Sequence, residues 1–185
     1  MTAIGGFWNF CLMIEMVVYG IAFDGRSGQP IVMLNDKTRR RALPIWIGPA
    51  EAQAIERALS NFKPERPMTH DLLLNTITAL NFKVDRVEIN ELSSNTYFAT
   101  IYLKVNDPTK RLELVKPIDA RPSDGIALAL RAKAPIFVSA QVIADGTIAA
   151  DHERDEAERK EFRQFVEGLK ASDFPTQGGA AGPEA

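Results

Sequence analysis

The first half of the chain alternates apolar and polar residues in a pattern that predicts three strands and two helices. Strands are predicted for Glu15–Phe23, Pro30–Leu34 and Arg41–Ile47, which are rich in β-branched and aromatic residues and are separated by turn sequences. Apolar residues then recur at helical spacing over Pro49–Asn61, and this segment starts with a proline and an early acid, as helices often do. Thr69 is a typical N-cap for a second helix.

The second half repeats this order of elements. Strands are predicted for Phe82–Glu91, Tyr97–Val105 and Leu112–Ile118, followed by a helix over Pro122–Ala132 and a short last strand at Pro135–Ser139. The helix carries apolar residues on nearly every face, and such a helix is usually enclosed by the rest of the protein. We therefore expect it to be the most buried helix of the chain.

A short internal repeat connects the two halves. Pro44–Glu51 and Pro117–Asp124 align without gaps at an offset of 73 residues, so that Glu51 corresponds to Asp124. The repeat predicts an α+β fold built from a duplicated β-β-β-α unit, with a mostly antiparallel sheet and a pseudo-twofold axis. It also predicts that the two proline-opened helix N-termini lie close together, where free N–H groups and the helix dipole attract anions.

Composition divides the chain into a central domain and two terminal segments. Residues 1–12 are interpreted as an N-terminal extension and residues 13–145 as the domain. Residues 146–171 are predicted to contain an acidic C-terminal helix, and residues 172–185, rich in proline, glycine and alanine, a disordered tail. The helix has a narrow apolar stripe formed by Phe162, Phe165, Val166 and Leu169.

Charge and cysteine content exclude several classes of protein. The net charge of −2, with acids concentrated in residues 145–161, argues against binding of nucleic acid by bulk charge alone. Cys11 is the only cysteine, so no intramolecular disulfide can form, and two histidines are too few for the common zinc motifs. No apolar run is long enough to span a bilayer. These features predict a cytoplasmic protein without membrane contact.

The strongest candidate for a functional site is the junction between the predicted strand Leu112–Ile118 and the helix Pro122–Ala132. Arg121 could bind a phosphate there together with the helix N–H groups, and Asp124 could hold a divalent cation or act as a general base. Asp119 could add a second carboxylate. A purely structural alternative stays open, in which Ser123 and Asp124 cap the helix and Arg121 pairs with an acid.

Other residues are weaker candidates for a functional site, because each has an ordinary structural role. A His70–Asp71 pair could do acid–base or metal chemistry, although adjacent helical residues point about 100° apart and need not share a target. Glu51 is of interest only through the repeat, since an acid in the first helical turn is structurally expected. Trp46 and Tyr97 could stack on bases, but packing in the core is the more ordinary role of both.

Three separated blocks of the sequence resemble the bifunctional nuclease family. They are Arg41–Gly48, Arg66–Leu73 and Asp119–Ala129, and their order and spacing also fit that family. The resemblance extends over about Met13–Asp145. One position departs from the family pattern: Gly125 stands where alanine is expected, at a cost of roughly 1 kcal/mol in helix stability.

The resemblance implies a nuclease that acts on DNA and RNA with little sequence preference. We expect Mg²⁺ or Mn²⁺ to assist it, held by Asp124 with Asp119 or Glu51, and we expect no organic cofactor. The alternatives are a non-catalytic module that binds anions, nucleotides or proteins, and a homodimer or higher oligomer with a structural role. The candidate catalytic residues, taken from the matched polar positions, are His70, Asp71, Asp119, Arg121, Ser123 and Asp124.

Overall fold

The computed structural model describes residues 13–106, 115–146 and 148–149, which form eight strands and four helices. The strands are β1 (Met13–Phe23), β2 (Pro30–Asp36), β3 (Arg41–Trp46), β4 (Phe82–Ser93), β5 (Thr96–Val105), β6 (Val115–Ala120), β7 (Ile136–Ser139) and β8 (Ile148–Ala149). The helices are α1 (Pro49–Leu59), α2 (Thr69–Ala79), α3 (Pro122–Ala132) and α4 (Ala140–Gly146).

The strands form one sheet in the order β6-β5-β4-β7-β1-β2-β3-β8. All neighbours in this order are antiparallel except β4 and β7, where Val87 lies beside Ile136 in a parallel pair. Short turns join β1 to β2, β2 to β3 and β4 to β5, and hairpins of this kind are necessarily antiparallel. The predicted α+β class and mostly antiparallel sheet are therefore confirmed.

Each half of the domain has three consecutive strands followed by a helix. Strands β1, β2 and β3 precede α1, and strands β4, β5 and β6 precede α3. Both helices begin with a proline in the first helical positions, Pro49 and Pro122. This order agrees with the one read from the sequence, but a shared order establishes neither common origin nor a symmetry axis. The duplicated unit and the pseudo-twofold axis stay predictions.

The core lies between one face of the sheet and helix α3. Seven of the eleven residues of α3 are buried, against two in α1 and one in α2, which confirms the expectation for this helix. Its Ile126 and Leu128 lie in the same buried cluster as Val87 and Ile89 of β4 and Ile101 of β5. Each such side chain contributes about 1.5–3 kcal/mol by leaving water, so the sheet and α3 hold the site at the start of this helix in place.

Gly125 fits this core because it has no side chain. A Cβ at Gly125 would lie 2.8 Å from Cγ1 of Val87, much closer than two carbon atoms normally approach. Helix α3 therefore lies closer to β4 than an alanine would permit.

We expect Gly125→Ala to lower the free energy of unfolding by up to about 2 kcal/mol. The gain in helix propensity is about 1 kcal/mol, whereas overpacking a core costs about 1–3 kcal/mol. Urea unfolding of the wild type, Gly125→Ala, Val87→Ala and the double variant measures the coupling between the two sites. In the double variant, Gly125→Ala should become neutral or stabilising. A cost that is the same with and without Val87 would contradict this explanation.

Several predicted elements differ from the structure or lie outside it. Strand β6 covers Val115–Ala120 rather than Leu112–Ile118, and residues 112–114 fall outside the described ranges. Helix α4 and strand β8 were not predicted. The N-terminal extension, the acidic C-terminal helix beyond residue 149 and the tail also lie outside the described residues. None of the helices in the described ranges is long and apolar enough to cross a membrane.

Candidate functional site

The two halves of the domain meet at a cleft because the sheet is curved. Four strands separate β3 from β5 in the sheet order, yet both reach Gly146. A Cβ on Gly146 would lie 3.0 Å from Cδ1 of Leu43 in β3 and 2.7 Å from Oη of Tyr97 in β5. Beside this contact is a cleft of about 290 Å³. Its lining residues are Ile45, Trp46, Ile47, Gly48, Glu51, Asn95, Thr96, Tyr97, Arg121, Pro122 and Ser123.

Arg121 joins the first turns of helices α1 and α3 at the edge of this cleft. Its Nε donates to Oδ2 of Asp124 at 2.8 Å, and its Nη2 lies 3.3 Å from Oδ1 of the same carboxylate. Its Nη1 donates to Oε1 of Glu51 at 3.0 Å. The two helix N-termini are therefore close together, as the repeat predicted, and the carboxylates of both first turns bind one guanidinium.

Glu51 lies close to the backbone at the start of α1. A Cβ on Gly48 would collide with the carboxylate of Glu51, so glycine at this position leaves room for that side chain. Gly48 occupies the same place before α1 that Arg121 occupies before α3. A side chain at residue 48 would push Glu51 away from Arg121.

His70 reaches the same carboxylate from helix α2. Its Nε2 lies 3.3 Å from Oδ1 of Asp124, and its side chain is only 15% exposed. Burial of Asp124 acts to raise its pKa, but hydrogen bonds from Arg121 and His70 outweigh burial and hold that pKa below its ordinary value. Asp124 is thus an ionised carboxylate that orients a cation on one side and an imidazole on the other.

Asp71 has a different environment from its neighbour His70. One of its oxygens accepts the backbone N–H of Met68 at 3.0 Å, and the other accepts Nε of Arg131 at 2.7 Å. Arg131 in turn donates to the carbonyl oxygens of Ala54 and Ala127 at 3.1 and 2.9 Å. Asp71 therefore ties the start of α2 to α3, and this contact holds His70 over Asp124.

Helix α2 starts one residue earlier than its predicted cap implied. Met68 is the N-cap residue, and Thr69 is the first helical residue. The predicted cap at Thr69 was therefore wrong. The carboxylate of Asp71, the third residue of the helix, accepts the N-cap backbone N–H of Met68.

Two further candidate residues differ in their positions. Ser123 is buried and lines the cleft. Asp119 is exposed on β6 opposite Thr100, whereas the flanking Ile118 lies opposite the buried Ile101. Because alternate residues of a strand point to opposite faces, the side chain of Asp119 lies on the face away from α3. The structure brings together Glu51, His70, Arg121 and Asp124, and it leaves Asp119 apart.

The carboxylates of this cluster do not form a ready metal site. In the part of the chain that the structure describes, no three His, Cys, Asp or Glu side chains are placed to hold one ion. Glu51 and Asp124 both bind Arg121 already. A divalent cation bound by these carboxylates would therefore have to replace the guanidinium, and substrate phosphates and water would have to complete its coordination.

Comparison with known proteins decides the family. The family model described as bifunctional nuclease domain matches residues 32–151, a range that contains the cleft and all four clustered residues. The chain belongs to the bifunctional nuclease domain family.

Relatives of two kinds share this domain. A protein of Mycobacterium tuberculosis named as uncharacterized is 34% identical over 170 residues, which is 88% of this chain and 98% of that protein. Bifunctional nuclease 2 of Oryza sativa subsp. japonica is 30% identical over 112 residues, or 60% of this chain and 33% of the rice protein. Bifunctional nuclease 2 of Arabidopsis thaliana is 30% identical over 98 residues, or 52% of this chain and 29% of that protein.

Two residues of this bifunctional nuclease domain were misjudged or missed from the sequence. Trp46 is 49% exposed and lines the cleft, so its interpretation as a core residue was wrong. Arg131 was missed because a basic residue in the last helical turn is expected from the helix dipole alone. One signal was available for Arg131: it is the only charged side chain in the last two turns of an otherwise apolar helix.

Proposed function

We propose that this chain hydrolyses phosphodiester bonds in DNA and RNA with little preference for sequence. The observation that carries the proposal is the Arg121 guanidinium, 65% exposed at the edge of a cleft and held there by two carboxylates. The bifunctional nuclease domain and the plant relatives of that name support the same activity. Backbone charge, rather than the bases, would then position the substrate, which fits low sequence preference.

Arg121 is suited to bind the scissile phosphate. A guanidinium has five N–H groups, and its contacts with Glu51 and Asp124 use three of them. One N–H on each terminal nitrogen is thereby left for phosphate oxygens in the bidentate geometry that arginine favours. The fixed cation stabilises the negative charge that develops on the phosphate as water attacks.

His70 is suited to move the proton. Since the ionised carboxylate of Asp124 accepts a hydrogen bond from Nε2, the basic nitrogen of a neutral His70 is Nδ1. In the proposed reaction His70 takes a proton from water, the water oxygen bonds to phosphorus, and the bond from phosphorus to one sugar oxygen breaks. The protonated His70 then gives its proton to the leaving oxygen and becomes neutral again.

These steps use only groups of the chain itself. The expected need for Mg²⁺ or Mn²⁺ stays a prediction, because Glu51 and Asp124 would have to release Arg121 to bind an ion. The homo-oligomer also stays a prediction, since the structure is of one chain.

The test is hydrolysis of labelled single-stranded DNA and RNA, each with Mg²⁺, Mn²⁺ or EDTA. We expect Arg121→Ala to lower kcat/KM about 100-fold, the range seen when one stabilising donor is removed. The kcat/KM of Arg121→Lys should lie between those of the wild type and Arg121→Ala, because an ammonium keeps the charge but not the bidentate geometry. Lys63→Ala, which removes an exposed cation elsewhere, is the matched control.

Two outcomes would contradict the proposal. Equal activity of the wild type and Arg121→Ala would place the reaction elsewhere or in a contaminant. Saturable binding of nucleic acid without any turnover would favour the non-catalytic binding module.

A further inference from the structure

An exposed tryptophan lies in the cleft beside Arg121, at the end of a buried strand. Residues Ala42–Ile45 of β3 are all buried, whereas Trp46 is 49% exposed. A large aromatic side chain normally contributes to stability by leaving water. At Trp46 about half of the side chain stays exposed, and the residue lines a concave site of about 290 Å³, the kind of site in which flat ligands bind.

The edge of the indole ring lies near Asp24 of the β1–β2 turn. Backbone N–H groups of Ser27 and Arg26 hold the pKa of Asp24 below its ordinary value, and a hydrogen bond from the Trp46 side chain contributes in the same direction. The indole has a single donor, its N–H. The interaction with Asp24 therefore involves the edge of the ring and not its face.

Polar groups of the other half of the domain line the same cleft. Thr96 is the first residue of β5, and Asn95 lies in the β4–β5 turn with a φ of +60° that asparagine tolerates better than most residues. A side-chain amide offers both a donor and acceptors, so it can pair with the edge of any base. Arg121 is also part of the lining.

We propose that this cleft binds one unstacked nucleobase on the face of Trp46, next to the phosphate that Arg121 holds. The proposal rests on the proposed function and narrows it, because it makes single-stranded nucleic acid the preferred substrate. In a duplex both faces of a base are already stacked, and a side chain can reach one only after the base leaves the helix. Stacking also tolerates every base, because each has a π-face.

Affinity for four probes tests this inference. The probes are a fluorescein-labelled phosphorothioate oligodeoxynucleotide, the same sequence as RNA, the same sequence as a duplex, and an abasic strand of equal length. We expect the single strands to bind the wild type about tenfold more tightly than the duplex or the abasic strand, as loss of one base–aromatic stack implies. Trp46→Ala should remove that difference, and Trp46→Phe should keep most of it. Tyr19→Ala, which removes another exposed aromatic side chain, should bind all four probes with the affinity of the wild type.

A spectroscopic measurement locates the contact. The chain has two tryptophans, so in a Trp8→Phe background all indole fluorescence comes from Trp46. Single strands should quench this fluorescence on binding, and the abasic strand should not. Equal affinity of Trp46→Ala and wild type for single strands, or equal quenching by the abasic strand, would overturn the inference.

The two proposals can fail separately. Hydrolysis that Arg121→Ala abolishes, together with single-strand affinity independent of Trp46, would refute the base site alone. Quenching and affinity that depend on Trp46 without hydrolysis would refute the nuclease and retain the base site.

Discussion

Replacing Asp124 with asparagine should lower kcat for nucleic acid hydrolysis about 1,000-fold and change KM little. Asp124 is the only described residue that contacts both groups of the proposed mechanism, since it accepts from Arg121 at 2.8 Å and from His70 at 3.3 Å. Asparagine has the same shape but no charge, and its amide can present a donor to a neighbouring N–H. Both Arg121 and His70 would then lose the partner that orients them, while Glu51 would still hold Arg121 at the cleft.

Variants of two other acids serve as controls for Asp124→Asn. Glu51→Gln loosens Arg121 but leaves His70 in place, so its loss in kcat should be clearly smaller. Glu56→Gln changes an exposed acid of α1 and should have no effect. Circular dichroism and thermal unfolding establish that each variant is folded. Equal losses for Asp124→Asn and Glu51→Gln would show that only the contact with Arg121 matters, and would remove His70 from the mechanism.

Local patterns accounted for most elements of the fold. Alternation and turn residues placed β1 to β5, and a proline marked the start of both α1 and α3, because these signals depend on neighbours in the sequence. The place of β7 could not be predicted in this way. It lies between β4 and β1, parallel to the first and antiparallel to the second, and pairings at such sequence distance leave no local signal.

The sequence could predict the part of the candidate site in which residues close together in the chain contact one another. Arg121 and Asp124 are three residues apart, so their contact follows from helical geometry. Their contact with His70 and Glu51 depends on how three helices pack. Alternation along β6 could have separated Asp119 from the cluster, because its neighbours Ile118 and Ala120 belong on the opposite face. Curvature of the sheet, which brings Trp46 to the cleft, has no sequence signature here.

Gly125 shows what a resemblance to a family leaves out. The family pattern identifies the position as unusual, and the structure gives the reason that glycine fits there: a Cβ would lie 2.8 Å from Cγ1 of Val87. Val87 and Gly125 are 38 positions apart, and one sequence cannot reveal that they are packed together.

The free energy of unfolding at pH 7 should fall by about 2–3 kcal/mol when Asp71 is replaced by asparagine. Arg131 is 11% exposed and keeps its charge, so it would lose its only carboxylate partner among the described residues. Breaking a buried ion pair costs about 3–5 kcal/mol, and less here because the carboxylate is partly exposed and two carbonyl oxygens remain bound to Arg131.

Acidic pH provides a second test of the same pair. Burial of Asp71 acts to raise its pKa, but Arg131 and the N–H of Met68 outweigh burial, so the folded-state pKa is below the unfolded one. The stabilisation is therefore present above about pH 4 and is lost as the pH falls through the folded-state pKa. Urea unfolding of the wild type and Asp71→Asn should give curves that converge below pH 4, whereas Glu65→Gln should follow the wild type throughout. A difference that persists unchanged at the lowest pH would mean that Asp71 stabilises the fold by its shape and not by its charge.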